Sequence, residues 1–534
     1  MNKYIFYLLL QFIIFPVLAQ KHYPRAAEID VEKYSFAINL NDTTDIIQAE
    51  ATIDIVFLES VSKFHLDLVK KMSSGKGMVV SNVEENGRPI NYTHEGNKLE
   101  LEISPTKKEE RRFYKIYYSG EPADGLIISK NKFGDRTFFG DNWPDRGHNW
   151  LPLVDHPSDK AKVQWFVKAP SQYQTIANGI LQEIRQMEGG KYQLYHWVMD
   201  EPIPTKVMVL GTAKFVVQTQ GDVDNVPVSA WVYPQNEDKG FKDYALAVPI
   251  LEFFVENIGS FPFQKLANVQ SKTRFGGMEN ASNIFYAEES VTGTGSCEAL
   301  IAHEVAHQWF GNSATEATWH DIWLSEGFAT YFTNLYLEHK YGKEKLKERI
   351  KSEREKVIRY YKNNPVPVVN QKIDNYLELL NANSYEKGAM VLHMLRREIG
   401  DSSFWANIQT YYDYYQFNNA SSVDFQILIE NRTGKDLEFF FKQWLREVGH
   451  PELVVKWKAR SNKVKVTIEQ VQKQYLFNFP LDIQFNLANG STIIKTIQMT
   501  SKKSTFLLEG AKVKSIEIDP DAWLLYELVT MKGK

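Results

Sequence analysis

His303-Glu304-Val305-Ala306-His307 sets two imidazoles and a carboxylate in five consecutive residues. On an α-helix, residues i and i+4 lie one turn apart on nearly the same face, so the two histidines aim at one point. Neutral imidazole is a good zinc ligand, and a glutamate beside the first histidine can reach a water held at that point. Two ligands and a base make up most of a zinc hydrolase site. The bland alternative is a surface helix with two solvated histidines. Leu300, Ile301, Val305, Trp309 and Phe310 crowd the same stretch, which therefore reads as mostly buried. Buried histidines need partners, and a metal ion is one.

A catalytic zinc usually keeps three protein ligands and one open position. Glu326 follows His307 by nineteen positions, which along one helix would be about 28 Å. The helix must end and a second one return. Gly311-Asn312 is a suitable stop, since both residues tolerate a left-handed C-cap. A loop, Ser313 to His320, leads to a second helical pattern from about Asp321 to Tyr341, with Leu324, Phe328, Tyr331, Phe332 and Leu335 on its apolar face and Gly342 closing it. Glu326 falls in its first turns and can point back at the metal. Taken alone, a glutamate there is more often just a favourable charge near a helix N-terminus.

"HEVAHQWFGN" followed by "WLSEGFATYF" closely resembles the aminopeptidase N family of gluzincin metallopeptidases, with that family's spacing between His307 and Glu326. "FGGMEN", Phe275 to Asn280, is similar to its exopeptidase signature, and "NSYEKGAMVLHMLR", Asn383 to Arg396, to its tyrosine motif. The resemblance runs from about residue 30 to about 445 and weakens beyond. It implies one zinc ion held by His303, His307 and Glu326, with Glu304 as general base and Tyr385 as donor to the oxyanion. Tyr385 owes that role to the motif alone; without it, a core tyrosine is the default. The resemblance further implies that Glu279 pairs with the substrate's α-ammonium, so that only the first peptide bond reaches the metal. Gly276, Gly277, Met278 and Asn280 would line the substrate, the glycine backbone acting as an edge strand.

The stretch "GDNWPDRGHNWLPLVDHP", Gly140 to Pro157, departs from the family pattern. Where relatives carry a second residue for the substrate amine, this chain has Trp143. Asp141 or Asn142 would substitute if the loop is shifted. Asp321 and Thr330 are candidates to orient a ligand, though a solvated cap suits Asp321 equally well.

The composition is that of an ordinary globular protein, 43% hydrophobic and 24% charged. A net charge of -4 gives no case for nucleic acid or for anionic membranes. "KKEERR", Lys107 to Arg112, reads as a solvated turn, and "KEKLKERIKSEREK", Lys343 to Lys356, as an exposed helix face laced with opposite charges. Neither run implies a partner. Met1 to Ala19 has the basic start, apolar stretch and small-residue end of a cleavable signal peptide, so an exported, periplasmic location is expected, with no membrane insertion after cleavage. The alternative, an uncleaved anchor, is disfavoured by its short length and by Pro16. Cys297 is the single cysteine, which rules out an intrachain disulfide; a small buried hydrophobe is its expected role.

The periodicities lay out a multidomain α+β chain. Residues 20–215 alternate with period two and form an N-terminal β domain, saddle-like by the resemblance. Residues 216–449 turn mainly helical, a thermolysin-like α+β catalytic domain by the resemblance. Residues 450–534 alternate again and suggest a small C-terminal β-sandwich. Larger members of the family add a long helical domain over the cleft, for which this sequence leaves no room, so a more open site is expected. The expected activity is a zinc-dependent aminopeptidase acting on peptides with a free N-terminus. A gluzincin endopeptidase, a bifunctional epoxide hydrolase and a silent peptide-binding scaffold on the same fold are the alternatives.

Overall fold

The computed structural model describes residues 25–510 and 512–533; the segment read as a signal peptide, Met1 to Ala19, lies outside them. The architecture is α+β, as the periodicities indicate. An eight-stranded sheet is built around the parallel pair Ile29–Asn39 and Lys160–Pro170, flanked by Ile47–Phe57 and Tyr192–Pro204. Strict alternation along Ile47–Phe57 buries Ala51, Ile53, Ile55 and Phe57 on one face. A four-stranded sheet follows, ending at Leu210–Ala213. Between its strand Arg136–Gly140 and the strand Lys160–Pro170, the Trp143 loop passes on its way to the cleft.

A five-stranded sheet begins at Val216–Val223. Val226–Val232, Leu266–Ser271 and Asn283–Ala287 run parallel within it, and Gly277–Met278 pairs antiparallel as its last strand. Eight helices belong to the same region: α1 (Glu237–Tyr244), α2 (Ala247–Asn257) and α3 (Glu298–Ala306) pack on the sheet, and α4 (Trp323–Tyr341), α5 (Lys343–Asn363), α6 (Gly388–Ile399), α7 (Asp401–Tyr415) and α8 (Ser422–Thr433) follow. Helix α4 is buried on all sides from Trp323 to Leu337, more than the one-sided apolar face its sequence suggests. The reason is position, since α3, α5 and α6 all pack on it.

Two boundaries differ from the sequence reading. Helix α3 ends at Ala306, a turn before Gly311, and the chain reverses through a tight loop bridged at Phe310 and Ala314. The return begins as a 3-10 turn at Trp319–Asp321 and becomes α-helical only at Trp323. Phe310 packs at a tilt against Phe328 and Phe332, ring centres 4.8 and 4.9 Å away, which fixes the end of α3 onto the flank of α4.

After Gly449 two sheets face each other. One has the order Lys503–Glu509, Lys463–Gln470, Glu452–Arg460, Glu527–Gly533, and the other places Phe479–Leu487 between Thr492–Met499 and Val513–Ile518. Phe485 and Phe506 meet across the gap at 6.0 Å. One continuous hydrophobic core runs from Ala26 to Tyr526. No helix among the described residues is long and apolar enough to cross a membrane.

Candidate functional site

Helical spacing on α3 brings the Nε2 atoms of His303 and His307 to 3.1 Å. Glu326, in the first turn of α4, places Oε2 3.4 Å from His303 Nε2 and 3.2 Å from His307 Nε2. That oxygen is buried and accepts no hydrogen bond. Three ligand atoms thus converge on one point, each within 3.4 Å of the other two, and two imidazoles with a carboxylate are a donor set that suits zinc. Glu279, Glu304 and His307 also have ligand atoms within 4.8 Å of each other. A metal held by that second set would leave His303 out, so the first set is the better fit.

The imidazole of His307 is held from behind. Its Nδ1 lies 3.1 Å from the carbonyl of Phe310 and 3.1 Å from Ser325 Oγ. Donation to the carbonyl puts the proton on Nδ1 and leaves the Nε2 lone pair facing the cluster. The candidates weighed from sequence are engaged elsewhere or face the cleft: Asp321 accepts from Thr318 and Ser422, and Thr330 lines the cleft wall. Ser325 was not read from the sequence, where it is one serine in "WLSEG".

Glu304 and Glu279 are buried beside the triad. Burial raises the Glu304 carboxyl well above its usual range, with His307 opposing and Glu279 and Glu326 reinforcing. Burial likewise raises Glu279, whose Oε1 has no hydrogen-bond partner. For Glu326, burial is outweighed by His307 and His303, which hold its carboxyl below the usual range. Burial and the three carboxylates raise the Tyr385 phenol well above its ordinary value, so it keeps its proton and can donate. The Tyr385 ring stacks at 13° over His303, centres 5.8 Å apart, from a π-helical turn at Asn383–Lys387. Such turns reposition side chains that a regular helix would aim elsewhere.

Glycines let these pieces approach. A Cβ at Gly277 would overlap the Glu304 carboxylate. One at Gly327 would come within 2.9 Å of the Gly388 backbone, so the Gly327–Gly388 contact sets how closely the Tyr385 segment sits on α4. The strand Gly277–Met278 pairs with Phe285 and Tyr286 on one side only. Gly276, Gly277, Met278 and Glu279 line a cleft of about 430 Å³ together with the triad, Glu304 and Tyr385. Asn280 does not line it. It is fully buried, because the chain turns inward after Glu279.

Two further residues escaped the sequence reading. Gln308 and Asn312 both donate to the Glu279 carbonyl, at 2.7 and 2.6 Å, and Gln308 Oε1 accepts from Ser282 N at 2.9 Å. The loop after His307 therefore clamps the strand that carries Glu279. Their signal was present in "HEVAHQWFGN" as two amides flanking an aromatic pair.

Trp143 does face the cleft, in edge contact with Phe275 and Trp319. Its possible substitutes do not. Asp141 pairs with Arg146 and accepts from Arg274 N, while Asn142 donates to Thr205 and Met208 and accepts from Trp150 Nε1. Cys297 is free and buried at the start of α3, and burial pushes its thiol up to about 12.

A family model described as the Peptidase family M1 domain matches residues 243–444, the stretch holding both histidines, Glu326, Glu279 and Tyr385. A probable aminopeptidase 2 of Sulfurisphaera tokodaii is 27% identical over 464 residues, covering 80% of this chain and 54% of that protein. A leucyl aminopeptidase of Saccharolobus solfataricus is 24% identical over 524 residues, covering 92% and 62%. The chain therefore spans little more than half the length of these relatives. An M1 zinc metallopeptidase of Deinococcus radiodurans shares the fold, with a TM-score of 0.67 at 21% identity, covering 80% of this chain and 96% of that one. The motifs, their convergence in one cleft and the matched domain agree: residues 243–444 carry a Peptidase family M1 domain, in a chain similar to aminopeptidase N-like gluzincins.

Proposed function

We propose that this protein is a zinc-dependent aminopeptidase that removes single residues from peptides with a free N-terminus. The observation that carries the reading is the buried Glu279 carboxylate, whose Oε1 has no hydrogen-bond partner, beside the His303–His307–Glu326 triad. A peptide's α-ammonium supplies the charge that Glu279 lacks, and the triad lies within one residue's reach of it. An endopeptidase has no use for such an anchor.

His303, His307 and Glu326 would hold one zinc ion, which when bound supplies Lewis-acid polarisation of the scissile carbonyl and makes water more acidic. Glu304 accepts the proton of the attacking water as the new C–O bond forms, then passes it to the amine nitrogen as the C–N bond breaks. Tyr385 donates its phenolic hydrogen to the oxyanion. The open edge of Gly277–Met278 offers main-chain groups to an extended substrate. With Asp141 and Asn142 engaged internally, Glu279 holds the amine without them, and Trp143 and Phe275 present an aromatic wall to the first side chain. The exported location expected from Met1 to Ala19 belongs to the same reading.

The test uses chromogenic aminoacyl amides, free and N-acetylated, before and after chelation. Cleavage of the free amides alone, abolished by a chelator and restored by zinc, is expected. Equal cleavage of acetylated substrates would end the exopeptidase assignment, and indifference to the chelator would end the zinc assignment. Glu279→Gln is expected to raise KM about tenfold or more, the loss of one charge-assisted pair, while reducing the discrimination against acetylated amides.

A further inference from the structure

The charged run Lys343–Lys356 is more than a solvated helix face. Leu346, Ile350, Glu353 and Val357 form the buried stripe of α5. Arg349 and Lys356 flank Glu353 at helical spacings of four and three residues, so the three share a face. That face is a wall of the same cleft that holds the triad.

Its place along the cleft follows from α4. Trp319, in contact with Trp143, precedes Glu326. Asn334 follows Glu326; it donates to Glu353 Oε1 and accepts from Arg349 Nε, each at 2.9 Å. The eight residues from Glu326 to Asn334 span about 12 Å of helix. The cleft thus runs from the Trp143 end, past the triad, to a cationic end at Arg349 and Lys356. Arg349 uses Nε on Asn334 and Nη2 on Glu353, and Lys356 pairs with Glu386 at 2.9 Å. A guanidinium has five N–H donors and an ammonium three, so both retain donors. Both side chains are partly exposed, at 32% and 50%. Burial, opposed by Arg349 and Asn334, pushes the Glu353 carboxyl up to about 7, which leaves Arg349 only partly compensated near neutral pH.

We propose that Arg349 and Lys356 form a carboxylate-binding subsite that receives a peptide's carboxylate beyond the cleaved bond. This deepens the aminopeptidase reading and rests on it. An extended chain covers about 3.3–3.6 Å per residue, so the span from the triad corresponds to roughly three to four residues. The preferred substrates are then short peptides ending at that depth, or peptides carrying an acidic side chain there.

The experiment compares tri-, tetra- and pentapeptides as free acids and as C-terminal amides, for the wild-type chain, Lys356→Gln and Arg349→Gln. The readout is the acid-to-amide ratio of kcat/KM within each protein, so partial loss of folding or catalysis cancels. A ratio of about tenfold, carried by KM and peaking at one length, is expected for a charge-assisted contact, with collapse towards one in both variants. Amidated peptides with aspartate at that depth tell the two sources of carboxylate apart. A ratio near one in the wild type, or a ratio unchanged in both variants, overturns the subsite. A chromogenic aminoacyl amide without a carboxylate is run alongside. If it is cleaved while the ratio is flat, only the subsite fails; if nothing is cleaved, the aminopeptidase reading fails too.

Discussion

Glu304 lies against Gly277, and that contact ties the proposed base to the strand that lines the cleft. A side chain at 277 would displace the carboxylate. Because Glu304 is proposed as the base and lies outside the triad, Glu304→Gln should keep zinc and lose turnover, with kcat falling about 10²–10⁴-fold. Zinc content and kcat measured on one preparation check this, and full turnover would end the assignment. At this scale the sequence was informative wherever a motif fixed both residue type and spacing, as for His303, His307 and Glu326. It was silent where a role depends on what lies behind a residue. Ser325 supports His307 and Gln308 and Asn312 hold the Glu279 carbonyl through contacts no local pattern encodes, and Asn280 follows Glu279 in sequence yet turns away from the cleft.

Between elements, the distance from the Tyr385 turn to α4 is set by two glycines. "SEGFA" and "EKGAM" each show a glycine inside a helical pattern, a cost tolerated only for a packing reason. The reason is the backbone contact between Gly327 and Gly388. Gly327→Ala must push the two apart, at about 1–3 kcal/mol for an overpacked core. The expected result is a lower kcat with zinc retained, because Tyr385 moves while His303 on α3 and His307 at its C-cap stay in place. An unchanged kcat would mean that Tyr385 adjusts independently of that contact. The α+β class was legible here because period-two and helical runs differ strongly. The exact end of α3 was not, since Gly311 marks where the loop turns rather than where the helical hydrogen bonds stop.

Over the whole molecule, the N-terminal region bears on the site through two lysines, Lys206 buried and Lys160 half-buried. Lys206, from the turn before Leu210–Ala213, forms an ion pair with Glu316 in the loop joining α3 to α4, and both side chains are nearly inaccessible. Its ammonium lies 5.5 Å from the Trp319 ring centre, and Trp319 touches Trp143. Lys160, on a strand of the eight-stranded sheet, caps the Asn312 and Ser313 carbonyls of the same loop. These contacts join positions more than 100 residues apart, which is why no sequence pattern announces them. Removing one partner of a buried pair strands the other charge, at about 3–5 kcal/mol, whereas removing both can be nearly neutral. Lys206→Met should therefore lower the thermal midpoint and, through Trp319 and Trp143, alter preference for the first substrate residue. Lys206→Met with Glu316→Leu should recover much of the midpoint. If the double variant is stable yet keeps the altered preference, the lysine shapes the aromatic wall directly. If stability and preference recover together, the pair acts only by holding the loop in place.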